Sequence, residues 1–158
     1  MLEQVSRHGR IDLTVDAQGD VDVDAHHTVE DVGLCLGRAL DAALADRVGI
    51  TRMGHALVPL DEALAMVAVD LGGRGHAQID AKLNTPSIGA LPTELIPHFL
   101  ETLAREGRIT LHANVMSGTN DHHKAEAIFK ALARALDQAC RIDPRAEGVL
   151  PSTKGVID

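Results

Sequence analysis

The chain has no tryptophan, no tyrosine and only two phenylalanines among its 158 residues. Against that scarcity its nine histidines are out of proportion, and histidine is a common metal ligand and proton carrier near neutral pH. Cysteine is almost absent. Cys35 and Cys140 are the only two and neither lies in a CxxC, so they read as reduced core thiols of a cytoplasmic protein, not a disulfide or zinc framework. No apolar run reaches the length of a membrane span, and no leader peptide is expected. Positive charge is also in deficit. A formal net charge of −8 argues against nucleic acid or an anionic membrane as partner, since either needs a clustered basic surface. At 45% hydrophobic content, the chain can bury one packed core or two fused halves that share one.

What is present is a repeat. His26-His27-Thr28-Val29-Glu30 and His122-His123-Lys124-Ala125-Glu126 are two copies of HHxxE, 96 residues apart. At the same offset Leu36, Arg38, Ala39, Leu40, Asp41 and Ala43 meet Leu132, Arg134, Ala135, Leu136, Asp137 and Ala139. Upstream the offset becomes 98, and Leu2, Glu3, Arg7, Gly9, Arg10, Ile11 and Leu13 meet Leu100, Glu101, Arg105, Gly107, Arg108, Ile109 and Leu111. Self-similarity this long fixes architecture before any local propensity does. It implies a single domain, 1–158, with half-repeats over about 1–88 and 89–142 and a tail over 143–158.

The local patterns predict a helix ending at Gly9 as its C-cap, and a hairpin of Ile11–Val15 with Val21–Val23 turning at Gly19-Asp20. A helix over about 25–46 follows, with Asp24 as N-cap, then strands at Leu64–Val69 and around 76–81. Pro92 and Gly107 bracket a helix over 93–106, Ile109–Val115 reads as a strand, and 121–140 as the second motif helix. The expected class is α+β: two related half-domains, each a sheet with helices on one face.

On a helix, the second histidine and the glutamate of HHxxE are i, i+3, and the first histidine and the glutamate are i, i+4. Adjacent histidines point about 100° apart, so they are better placed to serve two ions than to share one. A lone HH pair is more often surface decoration. Here both copies keep their His and Glu while Thr28 has become Lys124 and Asp31 has become Ala127. With His98, the ligand stock is rich in nitrogen and oxygen with open positions left over, which suits Mn²⁺ or another divalent first-row ion better than structural zinc.

These residues resemble the imidazoleglycerol-phosphate dehydratase family. The resemblance is carried by Gly19-Asp20, Asp24 through Gly33, Pro59-Leu60-Asp61-Glu62-Ala63-Leu64, Thr93-Glu94-Leu95, Asn120 through Ala127 with Phe129-Lys130-Ala131, and Pro151-Ser152-Thr153-Lys154-Gly155. It implies a ribosomal protein S5 domain 2-like fold of two halves, each a four-stranded sheet with helices on one face. It implies trimers assembling into 24-subunit shells. The implied reaction is dehydration of imidazole glycerol phosphate to imidazole acetol phosphate in histidine biosynthesis, with two Mn²⁺ holding the imidazolate. The implied metal ligands are His26, His27, Glu30, His98, His122, His123 and Glu126, with Glu126 or Glu30 as acid/base. The implied substrate contacts are Gln4, Arg52, Arg74, Lys130, Ser152 and Lys154, the cations among them suited to a phosphate.

The departures are informative. Gly72-Gly73-Arg74-Gly75-His76 replaces the family's Ser-Gly-Arg-Pro-Tyr. The mate of His98 falls one place before Met1, in a motif where the family has an internal methionine. The expectation is an N-terminally shortened form with an incomplete first half, short of one ligand and inactive or poorly folded. Two rivals remain at this stage. A different two-metal enzyme acting on a phosphorylated small molecule is disfavoured by the tail and by the Asp61–Leu64 segment. A ferritin-like metal-binding bundle would need helices where strands are expected.

Overall fold

The computed structural model describes residues 1–157; Asp158, the last residue of the expected tail, lies outside the described residues. Helix α1 runs Leu2–Gly9 and α2 His26–Leu44. Strands β1 (Met53–Leu60), β2 (Ala63–Asp70) and β3 (His76–Asp80) follow, then a two-residue ribbon of β4 (Ser87–Ile88) with β5 (Leu91–Pro92). Helix α3 (Leu95–Glu106), β6 (Thr110–Ser117), α4 (Asp121–Cys140) and a 3₁₀ turn at Pro144–Ala146 complete the order. The class is α+β.

The main sheet has the order β1-β2-β6-β3, antiparallel except for the parallel β3–β6 pair. Its strands alternate, so one face presents Ala56, Val67, Ala113 and Ile79 in a row across all four. Helices α3 and α4 cover that face, with Ile128, Leu132, Leu100 and Ile96 fully buried between helices and sheet. Helix α1 packs on α4 and α2 on α3, so the two motif helices are each held by a partner from the other half.

The expected hairpin of Ile11–Val15 with Val21–Val23 does not form: residues 11–20 carry no regular structure and 21–23 are a turn. Ile11 and Leu13 are repeat mates of Ile109 and Leu111, which are fully buried at the start of β6. The same pattern has two outcomes because β6 lies between β2 and β3, whereas the described residues offer Ile11–Val15 no neighbouring strand, and an isolated ribbon is marginal in water. Conversely β1, Met53–Leu60, has no counterpart among the expected strands, and it forms with Gly54 and Pro59 within it. It forms as an edge strand, where proline is tolerated.

Smaller expectations are also corrected. The left-handed residue closing α1 is Arg10 (φ 55°), not Gly9, which is the last helical residue and buried against α4. Pro92 belongs to β5 and precedes α3 instead of starting it. Cys35 is exposed, not in the core, and Cys140 is half-buried with its thiol pushed up by burial; both are free. No helix is long and apolar enough among the described residues to cross a membrane.

Candidate metal centre

The first copy of the motif opens α2. The N-cap is Ala25, not Asp24 as expected, but the Asp24 carboxylate accepts the His26 backbone N–H at 2.7 Å and so fixes where the helix starts. Helix α3 lies very close to α2 at Gly37, where a Cβ would stand 2.8 Å from Glu106 Cβ and from Gly107 N. That approach sets His98, in the first turn of α3, against the motif. His26 and His98 have ring centroids 4.5 Å apart and planes 33° from parallel, and His98 Nε2 is 3.7 Å from Glu30 Oε1.

Among the described residues, His26, Glu30 and His98 form the one group of three or more metal-ligating side chains whose ligand atoms all lie within 4.8 Å of one another. His98 Nε2 is buried and has no hydrogen-bond partner among them. A buried polar nitrogen without a partner costs on the order of 1–3 kcal/mol. A divalent ion would satisfy it, and two imidazoles with a carboxylate leave positions open on such an ion. The residues present fit a metal.

The second copy opens α4. Asn120 caps it, its side chain accepting from His122 N and His123 N at 2.9 and 3.3 Å. His122 Nε2 lies 3.2 Å from Glu126 Oε2, and Lys130 Nζ 2.7 Å from Glu126 Oε1. Lys130 holds the Glu126 carboxyl below its usual range; burial opposes, His122 assists. The second histidine of each copy turns away from the first, with rings 86° and 80° from parallel. His27 Nδ1 meets Asp20 Oδ2 at 3.1 Å, which pushes its ring pKa up. His123 Nδ1 meets Glu62 Oε2 at 2.8 Å, and its ring is likewise raised. The Glu62 carboxyl is held down at about 2, by His123 and then by the N–H groups of Asn120 and Thr119.

The seven expected ligands are thus distributed over two motif clusters and two side stations. His26, Glu30 and His98 converge, His122 and Glu126 pair with each other, and His27 and His123 point to carboxylates that the repeat did not reveal. A sequence profile of imidazoleglycerol-phosphate dehydratases matches residues 1–136. The chain belongs to that family. It is 59% identical over 157 residues to the imidazoleglycerol-phosphate dehydratase of Chloroflexus aggregans, covering 99% of this chain and 77% of that protein. The Bacillus subtilis enzyme of the same name is 53% identical over 157 residues, with 99% and 80% covered. The crystal structure of the Staphylococcus aureus family member superposes with a TM-score of 0.84 at 36% identity, over 90% of this chain and 81% of that one.

The substrate positions expected from the family are only partly gathered. Arg52, left-handed at φ 72°, grips Asp70 with two hydrogen bonds of 2.7 and 2.9 Å and donates to the Pro151 carbonyl at 2.5 Å. This guanidinium, 19% exposed, is therefore not a free surface charge; it ties the tail to the end of β2 beside Ser152. Ser152 Oγ accepts the Lys154 backbone N–H at 3.3 Å. Lys130 already sits on Glu126. Arg74 and Lys154 are exposed and Gln4 is half-buried in α1. Among the described residues no ion pair or hydrogen bond links the side chains of these three to either cluster.

Sequence reasoning missed Glu62, Asp20 and the buried pair of Asp121 with Lys124. Glu62 lies inside the Pro59–Leu64 segment quoted for the resemblance, so the signal was on hand without a role. The sequence pattern places Asp20 in a turn, and Lys124 stands simply where the first copy has Thr28.

Proposed function

We propose that this protein is a hydro-lyase that converts D-erythro-imidazole glycerol phosphate to imidazole acetol phosphate, a step of histidine biosynthesis, in a cytoplasmic assembly of identical subunits. The observation that supports this reading best is the convergence of His26, Glu30 and His98 around a buried nitrogen with no partner, within a chain of this family. His26, Glu30 and His98 would hold one ion, and His122 and Glu126 would contribute to a second. His27 and His123 turn away from their own clusters, an orientation that suits completion of each site by a neighbouring subunit, as trimers built into 24-subunit shells would provide.

Two Mn²⁺ ions, when bound, would supply Lewis acidity toward the substrate's imidazole. The chain's own residues do the rest. Lys130 keeps Glu126 ionised, ready to accept the proton lost from the substrate carbon, and Glu30 is the matching carboxylate of the first copy. The proton then returns to the departing hydroxyl, which leaves as water. Arg52 fixes the tail so that the Ser152 hydroxyl and the Lys154 ammonium can bind the phosphate, with Arg74 as a further cation.

The test is to supply the purified protein with Mn²⁺ and imidazole glycerol phosphate and follow the products by mass spectrometry. The expected product has lost one water and kept its phosphate; that result would also overturn the expectation, raised by the sequence, that this form is inactive or poorly folded. Release of inorganic phosphate without dehydration, or Mn²⁺ binding without any loss of water, would overturn the reading.

A further inference from the structure

We propose that Glu62 is a positioning residue for His123, fixing the imidazole with its proton on Nδ1 and so presenting an unprotonated Nε2 as metal ligand. The inference rests on the two-metal reading above and assigns a role to a residue outside the HHxxE motifs. Glu62 sits in the tight turn between β1 and β2, directly after the left-handed Asp61 (φ 48°). Its two oxygens have separate tasks. Oε1 accepts the backbone N–H groups of Thr119 and Asn120 at 3.0 and 2.7 Å, which fastens the turn to the start of α4. Oε2 meets His123 Nδ1 at 2.8 Å.

An ionised carboxylate accepts and cannot donate, so a neutral His123 bonded to it must carry its proton on Nδ1. The Nε2 lone pair is then uncommitted, with the nearest carboxylate oxygen, Asp61 Oδ2, 3.8 Å away and beyond hydrogen-bond distance. Carboxylates that hold the remote nitrogen of a metal-binding histidine set its tautomer and its angle of approach. The first copy repeats the arrangement with a different part: His27 Nδ1 meets Asp20 Oδ2 at 3.1 Å. At offsets of 96 and 98 the repeat places Met116 or Gly118 opposite Asp20, so the two carboxylates come from unrelated positions. The same ring nitrogen of the same motif residue is engaged in both halves by carboxylates of different origin, as a shared demand on the second histidine would require.

A purely structural role would end with Oε1. Glu62→Gln separates the two tasks. The amide oxygen can still accept from Thr119 and Asn120, while the NH₂ group turns a donor toward His123 Nδ1. The ring must then accept there and carry its proton on Nε2, where it blocks metal binding.

The experiment has two arms on the full chain, with circular dichroism as the check on folding. In metal-free protein, ¹⁵N NMR of the His123 ring is expected to show the proton on Nδ1 in wild type and on Nε2 in E62Q. Mn²⁺ titration followed by electron paramagnetic resonance is expected to show affinity falling by about 10–100-fold in E62Q, the usual effect of losing such a partner. An unchanged tautomer, or Mn²⁺ affinity within about twofold of wild type, overturns the proposal. Wild type that binds no Mn²⁺ counts against the two-metal reading instead, and the tautomer arm still decides the role of Glu62. If E62Q does not fold, the wild-type ring alone decides: a proton on Nε2 overturns it.

Discussion

Arg10 and Arg108, mates at the 98-residue offset, both hold left-handed backbone, with φ 55° and 51°. Each follows a glycine at the end of a helix that packs on the motif helix of the other half. Non-glycine residues in this region carry roughly 1–2 kcal/mol of strain, partly offset because glycine loses more entropy on folding. Arg10→Gly is therefore expected to raise stability by about 0.5–1 kcal/mol in urea unfolding. Arg108→Gly should gain less, because Arg108 Nε also donates to the Gly73 carbonyl at 3.2 Å. Equal gains at both sites would show that this bond contributes nothing.

His98 makes a contrasting case, in which the native residue costs stability until a ligand arrives. Its Nε2 is buried without a partner, 3.7 Å from Glu30. His98→Leu should leave the metal-free melting temperature unchanged or higher. It should also abolish most of the rise in melting temperature that saturating Mn²⁺ produces in wild type, since a ligand stabilises by RT ln(1 + [L]/Kd). A chelator should reverse the wild-type rise and do nothing to the variant. A variant that keeps the full Mn²⁺ shift would remove His98 from the site.

Lys130 should set the titration of the Glu126 carboxyl. Lys130 and the carboxylate are only 19% and 21% exposed and 2.7 Å apart, so solvent screens the pair incompletely. The carboxyl is held below its ordinary value of 4.5, with Lys130 the largest cause. A depressed carboxyl stays ionised as pH falls and takes up its proton only when pH passes through the lowered value. Lys130→Met removes the main depressing charge, so the pH at which the Glu126 carboxyl takes its proton should move upward toward the ordinary carboxylate range. The carboxyl ¹³C NMR shift of Glu126 followed against pH in metal-free protein checks this; a midpoint that stays in place rules out Lys130 as its cause.

How much of this was legible depends on what each residue needs from its surroundings. Helix α4 was read correctly over Asp121–Cys140, because Asn120 caps it and Ala125, Phe129, Leu132 and Leu136 recur on one face. Those signals are local. Strand β6 was legible but the matching stretch Ile11–Val15 misled, because strand formation is decided by neighbours that a pattern of alternation does not contain. The convergence of His26 and Glu30 with His98 is likewise a matter of packing, set by the close approach of α2 and α3 at Gly37. The repeat pointed to the ligands because both copies of the motif carry them. It was silent on Glu62 and Asp20, which stand outside the copied positions.

Lys124 shows how a residue taken for drift can be fixed in place. Lys124 and Asp121 are each 3% exposed; the ammonium lies 2.8 Å from Asp121 Oδ1 and 2.8 Å from the Lys82 carbonyl. Asp121 Oδ2 accepts the N–H groups of Asn84 and Thr85 at 2.6 Å each and the Thr85 hydroxyl at 2.8 Å. Burial pushes the Asp121 carboxyl up, yet Lys124 and the Thr85 and Asn84 donors outweigh it and hold it well below the usual range. The stability this adds is present above the ordinary carboxylate range and is lost as pH falls through the lowered value. In the first copy the equivalent place is Thr28, whose hydroxyl is buried without a partner among the described residues. Removing one member of a buried pair strands the other, so Lys124→Met should cost about 3 kcal/mol in urea unfolding. Adding Asp121→Asn should return part of that loss, since the amide oxygen can still accept from Asn84 and Thr85 without a buried charge. A double-mutant cycle with no coupling between the two positions would reduce the pair to two independent surface-like residues.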